Sequence, residues 1–310
     1  MASDKDQLGS GAGEEIDLLD LLRSLWVDRL LIGGVTFLAA GLSVLLALSL
    51  PNIYQASALL QPQSGDGGMS GLARQYGGLA SLAGISLPSK DGQSKTELAL
   101  EVLKSKKFAN EFLERHAILP AFYAGEHWDW ETDTLSLDEA LYDSVRKEWV
   151  RDVKPPRKPK PGVEEIHEEW METVLVAEDK DTGFVTVALK HPSPELAKSW
   201  LELLIHDLNE TLRAQDLAEA ERAVAYLESQ LAQTATTEIR ELLAGLLRSH
   251  MESRMVATVE KDYAFSIIDP PTLPEKKSEP NRALICVLIT ALGGVLGILA
   301  SLLGWGRRKG

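Results

Sequence analysis

The run Leu30–Leu50, LLIGGVTFLAAGLSVLLALSL, carries no charged residue, and neither does Ala283–Trp305, ALICVLITALGGVLGILASLLGW, near the other end of the chain. A helix of about 20 apolar residues just crosses a hydrocarbon core roughly 30 Å thick, and both runs meet that length. A stretch of more than 200 residues, far more polar than either run, separates them, far more than a connecting loop needs. The pattern predicts two transmembrane helices flanking one large soluble domain. A cleaved signal peptide fits the first run poorly, despite the small-x-small step Ala47-Leu48-Ser49. Signal cores run about 7–15 residues behind a short basic leader, whereas the 29 residues before this run are acidic.

Orientation follows from the flanks. Arg307, Arg308 and Lys309 follow the second run, and basic residues next to a span stay cytoplasmic. Two spans return the chain to its starting side. Both termini are therefore expected in the cytoplasm and the large domain outside it. The expected organisation is a cytoplasmic tail with an amphipathic helix (1–29), a span (30–50), an extracytoplasmic domain (51–282), a second span (283–305) and a basic tail (306–310).

The 310-residue chain has a net charge of −14, and residues 52–282 hold 26 basic and 39 acidic side chains, a net of −13. About 230 residues outside spans and tails can bury a sizeable core. An acidic domain speaks against nucleic acid as a partner. The single cysteine, Cys286, lies in the second run, so no intrachain disulfide can form.

Along the chain, Ile16, Leu19, Leu22 and Trp26 share a face at helical spacing, either as an interfacial amphipathic helix or as an extension of the span. YQASALLQP after Pro51 reads as a strand. Residues 64–92 form a Gly- and Ser-rich loop with an apolar stretch, LASLAGISL, which either folds back on its domain or meets a partner. Ser94-Lys95-Thr96-Glu97 matches a capping box and opens a stripe of Leu98, Val102, Ala109, Phe112 and Leu113 running to about His116. Ser136-Leu137-Asp138-Glu139 matches a second box, predicting a helix lined by Leu141, Val145 and Trp149. KPPRKPKPG, residues 154–162, reads as a solvated basic connector.

TVLVAE and GFVTVALK read as two strands about a turn at residues 179–183. Ser193-Pro194-Glu195 opens a helix with Leu201, Leu204 and Leu208 on one face. Leu217, Ala220, Val224, Leu227 and Leu231 continue the stripe in 3-4 steps. To Gln233 that helix spans about 60 Å, too long for a small domain. It must project, and its stripe (Leu217, Val224, Leu227, Leu231) must pack on its own return helix or on neighbouring protomers. Thr234 to Thr237 break it, and Ile239, Leu242, Leu243, Leu246 and Leu247 form a second stripe, giving a helical region of about 193–262. YAFSIID reads as the last strand, followed by a stiff connector over 270–282 carrying Pro270, Pro271, Pro274 and Pro280.

No phosphate-binding loop, HExxH or GxSxG sequence is present. The cluster Glu164, Glu165, His167, Glu168 and Glu169 reads as an acidic helix face rather than a metal site. The chain is expected to have no catalytic residues, cofactor or metal, and to act as a scaffold or regulator.

Several stretches together resemble the polysaccharide co-polymerases, the Wzz-type O-antigen chain-length determinants. They are EIDLLDLLRSLW, YQASALLQP, ELALEVLKSKKFANEFL, TGFVTVALKHPSPELAKSWLELLIHDLNETLR and DYAFSIIDPPTLPEKKSEPNRALI. The last two are the most specific, with Pro270, Pro271, Pro274 and Pro280 abutting the second span as in that family. The GxxxG-like spacing of Gly293 and Gly297 would let transmembrane helices pack closely. The resemblance implies an α+β membrane protein of a Gram-negative inner membrane. It implies a periplasmic α/β base with a long projecting helix, assembled as a ring- or bell-shaped homo-oligomer. It also implies non-enzymatic control of the modal length of lipopolysaccharide O antigen, with the membrane O-antigen polymerase and lipid-linked polysaccharide as partners. The alternative is a capsule or exopolysaccharide co-polymerase acting with a separate kinase and export machinery. Some relatives carry a tyrosine-kinase domain after the second span; only five residues follow Trp305, so none is expected here. A two-span sensor or an anchored enzyme would need an output domain or a polar pocket that the sequence does not display. The HWDWETD stretch and the 154–162 segment match no motif of the family.

Overall fold

The computed structural model describes residue 26 and residues 28–63, 95–259 and 262–309, without the side chains of 304–309. The helix expected before the first span, the apolar loop over 64–92 and Ser94 of the first capping box lie outside the described residues, Trp26 apart. The chain divides into two units, Met1–Pro51 with Glu279–Gly310, and Asn52–Ser278.

The first unit is a helix pair, α1 (Arg29–Ser49) and α8 (Arg282–Lys309). Both are long and apolar enough to cross a membrane. They are not core helices of a soluble fold, because Phe37, Leu38, Leu45, Val287, Leu292 and Leu296 are all exposed. Such an apolar surface suits lipid rather than water.

The second unit is built on a four-stranded antiparallel sheet in the order β6-β7-β1-β8. Its strands are β1 (Tyr54–Pro62), β6 (Val174–Glu178), β7 (Val185–His191) and β8 (Phe265–Asp269). Central β1 pairs with β7 from Tyr54↔His191 to Leu60↔Val185 and with β8 from Leu59↔Asp269 to Pro62↔Phe265. Alternation sets the register, since Tyr54, Ala56, Ala58 and Leu60 are buried, as are Val185, Val187 and Leu189. The β6–β7 turn is made by Asp179, whose carboxylate accepts from the Asp181 N–H (2.9 Å) and the Thr182 hydroxyl (2.8 Å). Gly183 supplies the positive φ of 73° that the turn requires.

Helices cover the sheet. The single stripe expected from 95 to 116 is two helices, α2 (Lys95–Lys104) and α3 (Lys106–Arg115). Ser105 interrupts it by capping the second, its Oγ accepting from the Phe108 N–H at 3.1 Å. Leu98 is exposed, and the buried face runs instead through Ala99, Leu100 and Leu103. After α4 (Leu119–Ala124) come two small hairpins, β2 (Gly125–Asp129) with β3 (Thr134–Leu137), and β4 (Tyr142–Asp143) with β5 (Glu148–Trp149).

These hairpins replace the helix expected from Ser136. The Ser136 hydroxyl donates to the His127 carbonyl (2.9 Å) rather than capping a helix. Asp143 accepts from the Val145 and Arg146 N–H groups (2.9 and 2.8 Å), turning the chain, and Lys147 takes a φ of 57°. Tyr142 then sits opposite Trp149 with ring centroids 5.0 Å apart. Local turn chemistry and an aromatic cross-strand pair outweigh the box signature.

Next comes α5 (Val163–Thr173), which buries Ile166 and Trp170. The long element is α6 (Pro194–Gln233), 40 residues opened by Ser193, whose Oγ accepts from the Leu196 N–H at 3.3 Å. At 1.5 Å per residue it is about 60 Å long. Its first half buries Trp200, Leu201, Leu204, Ile205 and Leu208 against β1 and β7. The second half extends past the sheet and packs on α7 (Thr237–Val259), which returns antiparallel after residues 234–236.

Buried polar groups pin α6. Asn209 Oδ1 accepts from the Ala264 and Phe265 N–H groups (2.9 Å each), and its Nδ2 donates to the Phe265 carbonyl (3.0 Å). Asp207 accepts from Arg115 (2.8 Å) and lies 3.0 Å from His116 Nε2. His191, at the end of β7, accepts the Ser193 N–H on Nδ1 (3.1 Å) and donates from Nε2 to the Ala121 carbonyl (3.1 Å), against the Trp200 ring.

Burial pushes the His191 imidazole down to about 4, and the two backbone hydrogen bonds only partly oppose it. Once unfolded, the ring takes up a proton near pH 6.5. The neutral ring's contribution is therefore complete above pH 6.5 and is lost as pH falls toward 4. The loss amounts to about 3 kcal/mol by pH 4. Denaturant midpoints should fall across that window, and His191→Asn should flatten the slope whatever it does to absolute stability.

Candidate functional site

None of the described residues form a group of three or more His, Cys, Asp or Glu side chains placed to hold a metal ion. The acidic cluster on α5 is committed to its neighbours. Glu164 pairs with Lys106 at 2.6 Å, Glu165 pairs with Arg151 at 3.0 Å, and His167 Nε2 lies 2.8 Å from the Lys104 carbonyl. Glu169 is turned inward, where burial raises its pKa.

Arg151 explains the 154–162 segment. Its buried guanidinium donates to the Glu165 carboxylate, to the Tyr123 hydroxyl (3.0 Å) and to the carbonyls of Lys158 and Pro159 (3.1 and 2.8 Å). The connector is thus tied at its far end, while Lys154, Arg157, Lys158 and Lys160 stay exposed. Arg151 hydrogen bonding holds the Glu165 carboxyl below the usual carboxylate range, and burial pushes the Tyr123 phenol up. The sequence alone does not disclose this role of Arg151, because one arginine beside a basic run carries no signal of burial.

The projecting hairpin is the most distinctive surface. Of the stripe on α6, Val224 and Leu227 are buried and Leu217 and Leu231 are half-buried. The element lying against this half of α6 is α7, on which Ser249 and Ala257 are buried. The opposite face of α7 leaves Met251, Met255 and Val259 exposed around a shallow hollow of about 570 Å³, which Arg248, Glu252 and Arg254 also line.

The proline segment follows β8. Pro271 is buried, Pro274 and Pro280 are half-buried and Pro270 is exposed. Within the second unit, Ser278 N–H donates to the Ile53 carbonyl at 2.8 Å, holding the end of this segment beside the start of β1.

In the helix pair, both named glycines face α1. A Cβ on Gly293 would meet Ala39, and one on Gly297 would lie 3.1 Å from Ile32 Cα and 3.3 Å from its carbonyl oxygen. Small residues allow this approach, which van der Waals packing then stabilises in lipid. Cys286 Sγ lies 3.8 Å from the Ser43 carbonyl, so Ser43→Cys should form a disulfide with it on mild oxidation in membranes. Gly297→Leu, which would crowd the Ile32 backbone and its Cγ2, should lower that yield several-fold; an unchanged yield would show that the helices do not meet there.

Comparison with known proteins places these features. Residues 14–116, spanning the first apolar helix, β1, α2 and α3, match the family model Wzz, chain length determinant protein. No curated protein sequence matches the chain. Among solved structures, a full-length bacterial polysaccharide co-polymerase is matched at 14% identity over 94% of this chain and 99% of its own, with a TM-score of 0.37. A fragment of WzzB, the polysaccharide co-polymerase from Salmonella Typhimurium, is matched at 13% identity over 74% of this chain and all of its own (100%), with a TM-score of 0.29. Superposition at these values is loose. The family model that residues 14–116 match is that of the family the sequence resembles.

Proposed function

We propose that this protein sets the modal length of lipopolysaccharide O antigen, without a catalytic step of its own, as a homo-oligomer in the inner membrane of a Gram-negative cell. In this reading the residue 30–50 and 283–305 spans anchor it, the termini are cytoplasmic and the 51–282 domain is periplasmic. It acts beside the membrane polymerase that extends the lipid-linked polysaccharide.

The observation that carries the reading is the family match over residues 14–116. The hairpin supports the assembly. Its stripe is occupied within the chain, and Met251, Met255 and Val259 give α7 an exposed apolar face for a second copy. Two exposed methionines suit an adaptable contact between protomers.

The test is the lipopolysaccharide ladder of cells with and without the gene. Loss of a modal band on deletion, restored by the gene in trans, is the expected result. An unchanged ladder refutes the O-antigen assignment. Sizing the released capsule or exopolysaccharide from the same strains then decides whether the protein acts on that polymer instead.

A further inference from the structure

The HWDWETD stretch that matched no family motif builds a groove. Asn52, Tyr54, His127, Trp128, Trp130 and Glu131 line a hollow of about 260 Å³ within the second unit. Its floor is rigid. Tyr54 is 6% exposed and Trp128 8%, and the Trp128 indole N–H is held by Asp133 at 3.1 Å.

Trp130 stands on that floor at 57% exposure. The Trp128 ring meets it at 4.3 Å between centroids and 68° between planes, the Tyr54 ring at 5.6 Å and 78°. Two near-perpendicular neighbours fix the orientation of this indole while it stays open to solvent. The turn that presents it is tight, with Asp129 accepting from the Glu131 N–H and the Thr132 hydroxyl at 2.9 Å each. Those bonds hold the Asp129 carboxyl below its usual range, so the turn keeps its shape at ordinary pH.

We infer that this groove binds one sugar unit of a polysaccharide chain, with Trp130 as the stacking platform. A pyranose ring has a face of C–H bonds and a rim of hydroxyls. An exposed, oriented indole matches the face. A carboxylate (Glu131), an amide (Asn52) and an imidazole (His127) offer acceptors and donors to the rim. The volume lies below the roughly 300 Å³ at which drug-sized sites begin, and it suits one ring of a longer chain.

Two other occupants fit less well. A quaternary ammonium wants several open aromatic faces around one point, whereas Tyr54 and Trp128 are buried. A membrane surface wants protruding aromatics with basic neighbours. Here the aromatics line a hollow, and the charged groups beside them are mostly acidic, Asp129, Glu131 and Asp133, against one Lys277 ammonium 3.4 Å from the Asn52 amide oxygen.

The inference rests on the proposed role in polysaccharide length control, and the two can fail separately. The test uses the full chain in nanodiscs and polysaccharide released by mild acid from the cells that carry the gene. Saturation-transfer NMR reads sugar protons in contact with the protein. Wild type should give a signal, Trp130→Ala should weaken binding about tenfold, and Trp130→Phe should restore most of it. Because Trp130 is largely exposed, the alanine variant should keep its fold, checked by circular dichroism. Equal binding by Trp130→Ala and wild type, absence of binding by wild type, or loss of the sugar signal to competing tetramethylammonium chloride each overturns the groove assignment. Sugar binding lost in Trp130→Ala, from a gene whose deletion leaves every polymer length unchanged, would instead refute the length-control role and keep the site.

Discussion

Trp170→Ala should destabilise the 52–278 unit by about 3–5 kcal/mol, the range for removing a large aromatic from a core. Trp170 is 1% exposed and touches Phe108, Phe112 and Phe122, with ring centroids 6.3, 5.6 and 6.0 Å away. Its indole N–H also donates to the Leu103 carbonyl at 3.0 Å. The substitution therefore leaves both a cavity and an unpaired buried acceptor. Because each kcal/mol moves the midpoint of a domain this size by about 2–4 °C, the thermal transition should drop by roughly 10 °C. Trp170→Phe refills most of the cavity and should recover more than half the loss. A shift of only a degree or two in the alanine variant would mean that α5 is not held to α3 and α4 as described.

The second large effect is expected from Leu227→Glu. Leu227 is 7% exposed, in line with Ala220 and Val224 on the half of α6 that packs on α7. A carboxylate at this position would have to be buried or the hairpin would open. The penalty, about 3 kcal/mol or more, exceeds what one side chain's burial contributes. Local opening of residues 214–259 is the expected outcome, with faster amide hydrogen exchange there and unchanged protection in β1 and β7. Unchanged exchange in the hairpin would contradict the packing of α6 on α7. Uniformly faster exchange over the sheet as well would show that the hairpin and base unfold together.

Which elements the sequence disclosed, and which it hid, depends on the range of the interactions involved. The 40-residue helix was legible because its start is written in three adjacent residues, Ser193-Pro194-Glu195, and its stripe repeats without glycine or proline. The four strands of the main sheet were legible through alternation and turn residues. The helix expected from Ser136 failed because a capping box describes a helix terminus and does not constrain the residues beyond it. In this case Asp143 and the Tyr142–Trp149 pair made a hairpin.

Of the candidate site, the spacing of Gly293 and Gly297 was readable, and the identity of the facing helix was not. The stripe on α6 was readable too, with two possible partners; the return helix occupies it. Arg151, His191, Asp207 and Asn209 went unseen because each acts across a long stretch of sequence or through burial. Asn209 meets Phe265, and Asp207 meets Arg115. Nothing local to either residue announces such a contact. The groove at Trp130 was similarly hidden. Its tryptophans were conspicuous, but the tyrosine beside them comes from β1.

The proposed role is to govern how long a polysaccharide grows without taking part in making its bonds. The most direct measurement is the length distribution of the surface polysaccharide together with its total amount, in cells lacking the gene and in the same cells complemented. The modal peak is expected to disappear on deletion while polymer continues to be made with a broad, stochastic spread of lengths, and to return on complementation. Loss of the polymer altogether would contradict it by pointing to a catalytic or essential structural part in synthesis. An unchanged distribution in every surface polysaccharide of the cell would contradict it just as directly.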